Sequence, residues 1–235
     1  MKTEEILYNN INNQLFTNSI FVFTNLVDFK ETYYFTSHIK SVSLIVKCIG
    51  EALDLGYDKI FNLILSSFFL STILTAFPKK YQLIDPNNLE SIDLKTSYFE
   101  DYSKAVSILA PLDHLKNHSR VLYQVWEHCD GSGLPNGLSF MQLPIEPQIL
   151  SIANIYHNKV YGINPKDISK IEEGTEITQT LEQTNKRHND ALNYINSKAT
   201  WFASDIYQVF FDLIRKEKCA ALVPYKEMIK VSFNT

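Results

Sequence analysis

Between Glu127 and Gly137 the chain reads E-H-C-D-G-S-G-L-P-N-G, a stretch through which no helix or regular strand can pass. Gly131 and Gly133 are separated by one serine, Pro135 follows closely, and Asn136-Gly137 is a turn dipeptide. Asp130 to Gly137 is therefore predicted to be a tight, rigid loop. Helical periodicity runs up to it on one side and away from it on the other. Leu115, Leu122, Val125 and Trp126 mark an inward stripe before the loop. After it, Pro144 to Pro147 opens a helix with Ile149, Ile152, Ala153, Tyr156 and Val160 on its inner side. A loop held between helices is a common seat for binding groups.

The remaining pattern is also helical. Ile39, Val42, Val46, Ile49 and Leu53 recur at three- and four-residue steps and predict a helix ending near Gly56. An uncharged helix is expected from about Asp58 to Pro78, and an amphipathic one through Tyr98, Tyr102, Ala105 and Leu109, closed by Pro111. A last helix carries Ile206, Val209, Phe210 and Leu213. Residues 1–18 read as a polar lead-in, 79–95 as a connector around Pro86-Asn87-Asn88, and 162–186 as a polar, exposed excursion. The aromatic-rich segment from Ile20 to Phe35 fits strand or helix equally. The tail from Ala220 favours β-branched and aromatic residues, which suits a short strand or hairpin.

The 235 residues, 45% of them hydrophobic, suffice for one sizeable core. A net charge of −4, with both signs mixed along the chain, argues against a nucleic-acid footprint and against an anionic-membrane anchor. Three cysteines, Cys48, Cys129 and Cys219, have no disulfide-framework or zinc-knuckle spacing, and the polar N-terminus lacks the order of a secretory signal. A reducing cytoplasm is the expected setting. Ile60 to Phe77 carries no charge, but Asn62, Ser66, Ser67 and Ser71 within it favour a buried core helix over a membrane span.

The run from Glu127 through Leu138, followed by L-P-I-E-P-Q-I-L-S-I-A-N-I-Y, resembles the HD-GYP branch of the HD phosphohydrolases around its Asp-Gly-x-Gly-Tyr-Pro signature. Thr36-Ser37-His38 is similar to the start of that family's first helix, and Ala199 to Tyr207 resembles its closing segment. The resemblance covers residues 36–214 and implies an all-α, HD-domain-like bundle. Residues 1–35 would be an N-terminal extension, with apolar content suited to homodimerisation, and 215–235 a C-terminal tail.

Such enzymes hydrolyse cyclic di-GMP at a cluster of two or three metal ions, which requires several imidazoles and carboxylates to converge. Placed by counting along the motif, the family's His-Asp pair falls on Leu70 and Ser71, and the lysine after it on Leu74. A histidine of the next helix falls near Asp101. The two histidines before the glutamate fall on Val125 and Trp126, leaving Glu127, and the later aspartates fall on Asn154 and His157. The signature tyrosine is Leu134. His38, Leu70, Ser71, Glu127, Asn154 and His157 are thus the relic-site positions, with Glu127 and His157 in segments that the fold would bring together. His114 and His118 share a helical face and read as exposed polar residues.

These positions lead to the expectation of a pseudo-enzyme, with no catalytic residue, no metal and no cofactor. Its role would be regulatory or scaffolding, in bacterial cyclic di-GMP-related signalling. The partner would be a protein such as a diguanylate cyclase domain, captured by the loop residues Asp130, Gly131, Ser132, Gly133, Leu134 and Pro135. The alternatives are a metal-independent sensor of cyclic di-GMP or another nucleotide, and a phosphodiesterase with relocated metal ligands.

Overall fold

The computed structural model describes residues 37–76, 92–163, 177–223 and 229–231. Ser37 caps α1 (His38–Ala52), its hydroxyl accepting from the Lys40 amide. The helix buries Ile39, Val42, Ile45, Val46 and Ile49, the stripe that its periodicity predicts. A short turn leads into α2 (Tyr57–Ala76), which packs along α1. Helix α2 is long and apolar enough to cross a membrane by length and composition. In this fold its Leu63, Leu65, Leu70, Ile73 and Leu74 belong to the bundle core, together with Ser66, Ser67 and Ser71.

Helix α3 (Ile92–Ser107) buries Tyr98, Phe99, Tyr102 and Val106. It begins inside the stretch expected to be a connector, with Leu94 exposed and burial starting at Tyr98. After the turn at Asp113–Leu115, α4 (Lys116–Tyr123) delivers the chain to the loop. Tyr102 donates its hydroxyl to the Leu122 carbonyl at 2.9 Å and stands edge-on to Trp126, tying α3 to the end of α4.

Helix α5 (Ile145–Tyr161) is the axis of the bundle: every residue from Pro147 to His157 is buried, and α1, α2, α4 and α6 (Leu181–Ser197) all pack against it. Its C-terminal carbonyls are satisfied by side chains. Arg187 donates to the Lys159 and Gly162 carbonyls, and Gln179 to the Val160 carbonyl. Residues 177–186, expected as part of an exposed excursion, instead form β1 (Ile177–Gln179) and the start of α6. That start is closed by a capping box between Thr180 and Gln183.

Helix α7 (Ser204–Arg215) adds Ile206, Phe210 and Leu213 to the core. The tail contributes β2 (Ile229–Val231), paired antiparallel with β1 in the register Thr178 to Lys230. The expected tail strand is present, and its partner lies far back in the chain. The fold is mostly helical, as expected. The lead-in, the Ile20–Phe35 segment and most of the 79–95 connector lie outside the described residues.

Candidate functional site

The loop and the helical interior form two polar centres. In the loop, Glu127 is 2% exposed, and its two carboxylate oxygens accept the Asn136 amide at 2.6 Å and the Leu138 amide at 2.8 Å. Asp130 Oδ1 accepts from the Ser132 amide (3.0 Å) and hydroxyl (2.6 Å), and Oδ2 from the Thr200 hydroxyl (2.7 Å). Desolvation opposes ionisation of Asp130, but these bonds hold its carboxyl below the ordinary carboxylate value. Gly131 and Gly137 have positive φ, of 77° and 62°, and the Leu134–Pro135 peptide is cis. Gly133 lies so close to the preceding chain that a Cβ there would sit 2.2 Å from the His128 nitrogen.

His128 stacks on Trp201, with ring centroids 3.6 Å apart and planes 8° apart, and its Nδ1 bonds to the Ser132 hydroxyl. Burial pushes its pKa down to about 4, against the pull of Asp130, so the ring is neutral at pH 7. Cys129 turns away, its thiol donating to Gln148 Oε1, and burial pushes that thiol up to about 11. The same Gln148 oxygen accepts the Ala203 amide, while its nitrogen donates to the Leu143 and Pro144 carbonyls. Gln148, Thr200 and Trp201 were not anticipated from the sequence. The only sequence signal for Gln148 was a polar residue in an otherwise apolar stripe.

The second centre joins α1, α2 and α5. His38 Nε2 donates to Asn154 Oδ1 at 2.8 Å, and its Nδ1 shares a hydrogen bond with the Ser71 hydroxyl at 2.5 Å. His157 meets His38 edge-on with centroids 5.0 Å apart, and burial, then His38 and Arg187, keep its pKa well below the ordinary histidine value. Four of the six relic-site positions therefore converge here: His38, Ser71, Asn154 and His157. Leu70 is a core residue beside them, 0% exposed. Glu127 does not share these bonds; its two oxygens accept the loop amides of Asn136 and Leu138.

Hydroxyl, imidazole and amide follow one another in the order of nucleophile, base and orienting group. Ser71 is only 1% exposed, so this chain of bonds is closed to a substrate in the packed bundle.

The resemblance implies a metal cluster, and the side chains can be tested against it. Among the described residues no three His, Cys, Asp or Glu side chains come together as a metal site would require. Both ring nitrogens of His38 already have protein partners. The described residues do not fit that group, and no chemical step is derived through it.

His118, expected to be exposed, is buried at 4%. Its Nδ1 bonds to the Ser66 hydroxyl of α2 at 2.9 Å. His114 remains exposed.

The described residues form a mostly helical domain built around α5. A family model described as HD domain matches residues 22–192, more than half of the chain, and the chain belongs to that family. Among solved structures, one of cyclic GMP-AMP specific phosphodiesterases in V. cholerae (V-cGAP3) aligns with 77% of this chain at 14% identity and a TM-score of 0.48. The aligned part is 44% of that structure, so this chain spans less than half of its length. No curated protein matches.

The family membership corrects one expectation. A pseudo-enzyme was expected from the substituted ligand positions, but an HD domain points to a phosphohydrolase, and the thin donor set at one site is weak ground against that.

Proposed function

We propose that the chain is a phosphohydrolase-class HD protein of the HD-GYP branch. In this reading it acts in bacterial cyclic di-GMP-related signalling in the cytoplasm, and residues 36–214 form its working domain. A protein partner, of which a diguanylate cyclase domain is the first candidate, docks on the loop from Asp130 to Pro135. Membership of the HD domain family supports the class.

The observation that carries the docking role is the use made of Glu127. A buried carboxylate is costly unless it is fully hydrogen-bonded, and this one serves only to fix the backbone of an exposed corner. That anchorage holds Leu134 and Pro135 at the edge of a cleft of about 590 Å³ against Lys95, Phe99 and Lys104 of α3. A preorganised loop loses little entropy on binding, which favours a docking role over a passive turn.

Two measurements test the proposal. Purified protein is incubated with cyclic di-GMP or cyclic GMP-AMP in the presence of magnesium, manganese or iron(II), and products are resolved by chromatography. Linear or mononucleotide product is expected; no turnover with any metal would remove the hydrolase class. Capture of a purified diguanylate cyclase domain should be lost in the Leu134→Arg and Lys104→Glu variants with the helical circular-dichroism signal retained. Undiminished capture by both variants would remove the loop from that role.

A further inference from the structure

A second cleft, of about 270 Å³, opens between α2, α4 and the first turn of α5. Its lining on α2 runs from Lys59 to Ser66 and ends five residues before Ser71, about 7.5 Å away at 1.5 Å rise per residue. Its walls differ in kind from those of the loop cleft. Leu63, Val121 and Pro147 supply an apolar floor, and the side-chain amides of Asn62, Asn117 and Gln124 stand around it.

Lys59 and Arg120, both exposed, place two cations at the mouth. One acid, Glu146, lies 3.9 Å from Lys59 and leaves a net positive rim. Pro144 caps α5 without a side-chain bond, so the positive end of that helix adds to the same field.

Two polar side chains of the wall are held in different ways. The Gln124 Oε1 atom is shielded from solvent and has no hydrogen-bond partner among the described residues, so a ligand meets this amide only when its side chain turns toward the cleft. His118 is spent on α2, bonded to Ser66 and to the Asn62 backbone, and burial holds its pKa below the ordinary value. The imidazole therefore fixes the wall as a neutral group and is not itself a general base waiting for a substrate.

Amide side chains offer paired donors and acceptors to the edge of a planar heterocycle, apolar walls cover its faces, and Arg with Lys suits a phosphate. The volume lies just under the lower end of small-molecule sites, about 300 Å³, which suits a ligand of the size of one nucleotide.

We infer that this cleft is a binding site for a mononucleotide, with Lys59 and Arg120 on the phosphate and the Gln124 amide on the base. The site is separate from both polar centres described above and does not depend on hydrolysis or on partner docking.

The test is calorimetric titration of the intact chain with guanosine and adenosine 5′-monophosphate, with ribose 5-phosphate and guanosine as the two halves. Saturable binding is expected, weakened about tenfold or more by Arg120→Ala and by Lys59→Ala. Both residues are exposed and outside the core, so these variants keep the fold. Gln124→Leu should weaken the nucleotides and leave ribose 5-phosphate unchanged. The absence of saturable binding up to about 5 mM ligand overturns the proposal. So does nucleotide affinity that is unchanged in both cation variants, since the ligand would then sit elsewhere.

Discussion

Glu127 and His38 are both buried polar side chains beside helix ends, but they spend their hydrogen bonds in opposite ways. Glu127 gives both oxygens to backbone amides nine and eleven residues further on, so its work is to shape a loop. His38 gives its ring nitrogens to side chains 33 and 116 residues away, so its work is to join three helices. The loop corner is a local construction with almost no tolerance for added atoms. The helical centre is a long-range one whose members can be exchanged singly at moderate cost.

The sharpest way to break that contrast is Gly133→Ala. A Cβ at Gly133 would meet the backbone of Glu127 and His128 at 2.2 to 2.5 Å, with no flexible side chain to give way. The expected loss is about 4 kcal/mol or more, measured by urea unfolding. Hydrogen exchange should speed up at the Leu134, Asn136 and Leu138 amides while the helical signal persists. Unchanged protection at those amides would show that the corner does not depend on its glycine.

Acidification tests the same corner more gently. Folded His128 takes up its proton near 4, whereas the unfolded chain does so at the ordinary value of 6.5. Below about 6.5 the unfolded state binds the proton and the folded state does not, so stability present at neutral pH is lost as the pH falls. Between pH 7 and pH 5 this amounts to about 2 kcal/mol. His157, His118 and His188 are shifted down as well and act in the same direction. The urea midpoint should fall over this range, and less steeply in His128→Asn. A midpoint that rises instead would contradict the burial argument.

The smallest effect belongs to the helical centre. Ser71→Ala removes the hydrogen-bond partner of His38 Nδ1 without opening a large cavity, and about 1 kcal/mol of stability should be lost. The nitrogen-15 shifts of His38 should report the change at Nδ1. A loss as large as that of Gly133→Ala would mean that the two centres are equally intolerant, and the contrast would fail.

The legibility of the sequence follows the same division. The loop could be read because its determinants are local: Asp130 bonds to Ser132 two residues on, and glycine and proline restrict their own dihedrals. The stripes of α1 and α5 could be read because helical period and burial coincide. The Ser71–His38–Asn154 chain could be located only as family positions, since nothing in a linear sequence pairs residues on three different helices. His118 was misjudged for the same reason, its partner Ser66 lying 52 residues earlier. The start of α6 is a different case. Thr180 and Gln183 are a local capping signal, hidden by the polar composition around them.

The two tryptophans of the chain carry a practical consequence of how the corner is fastened. The Trp126 carbonyl accepts the Leu134 amide, the Trp201 carbonyl accepts the Cys129 amide, and the Trp201 ring lies against His128. Both indoles are therefore attached to the loop by its own backbone. Emission from the unlabelled protein reports on that corner, through the Trp201 ring against His128, and on its junction with the core, through the Trp126 ring against Tyr98 and Tyr102.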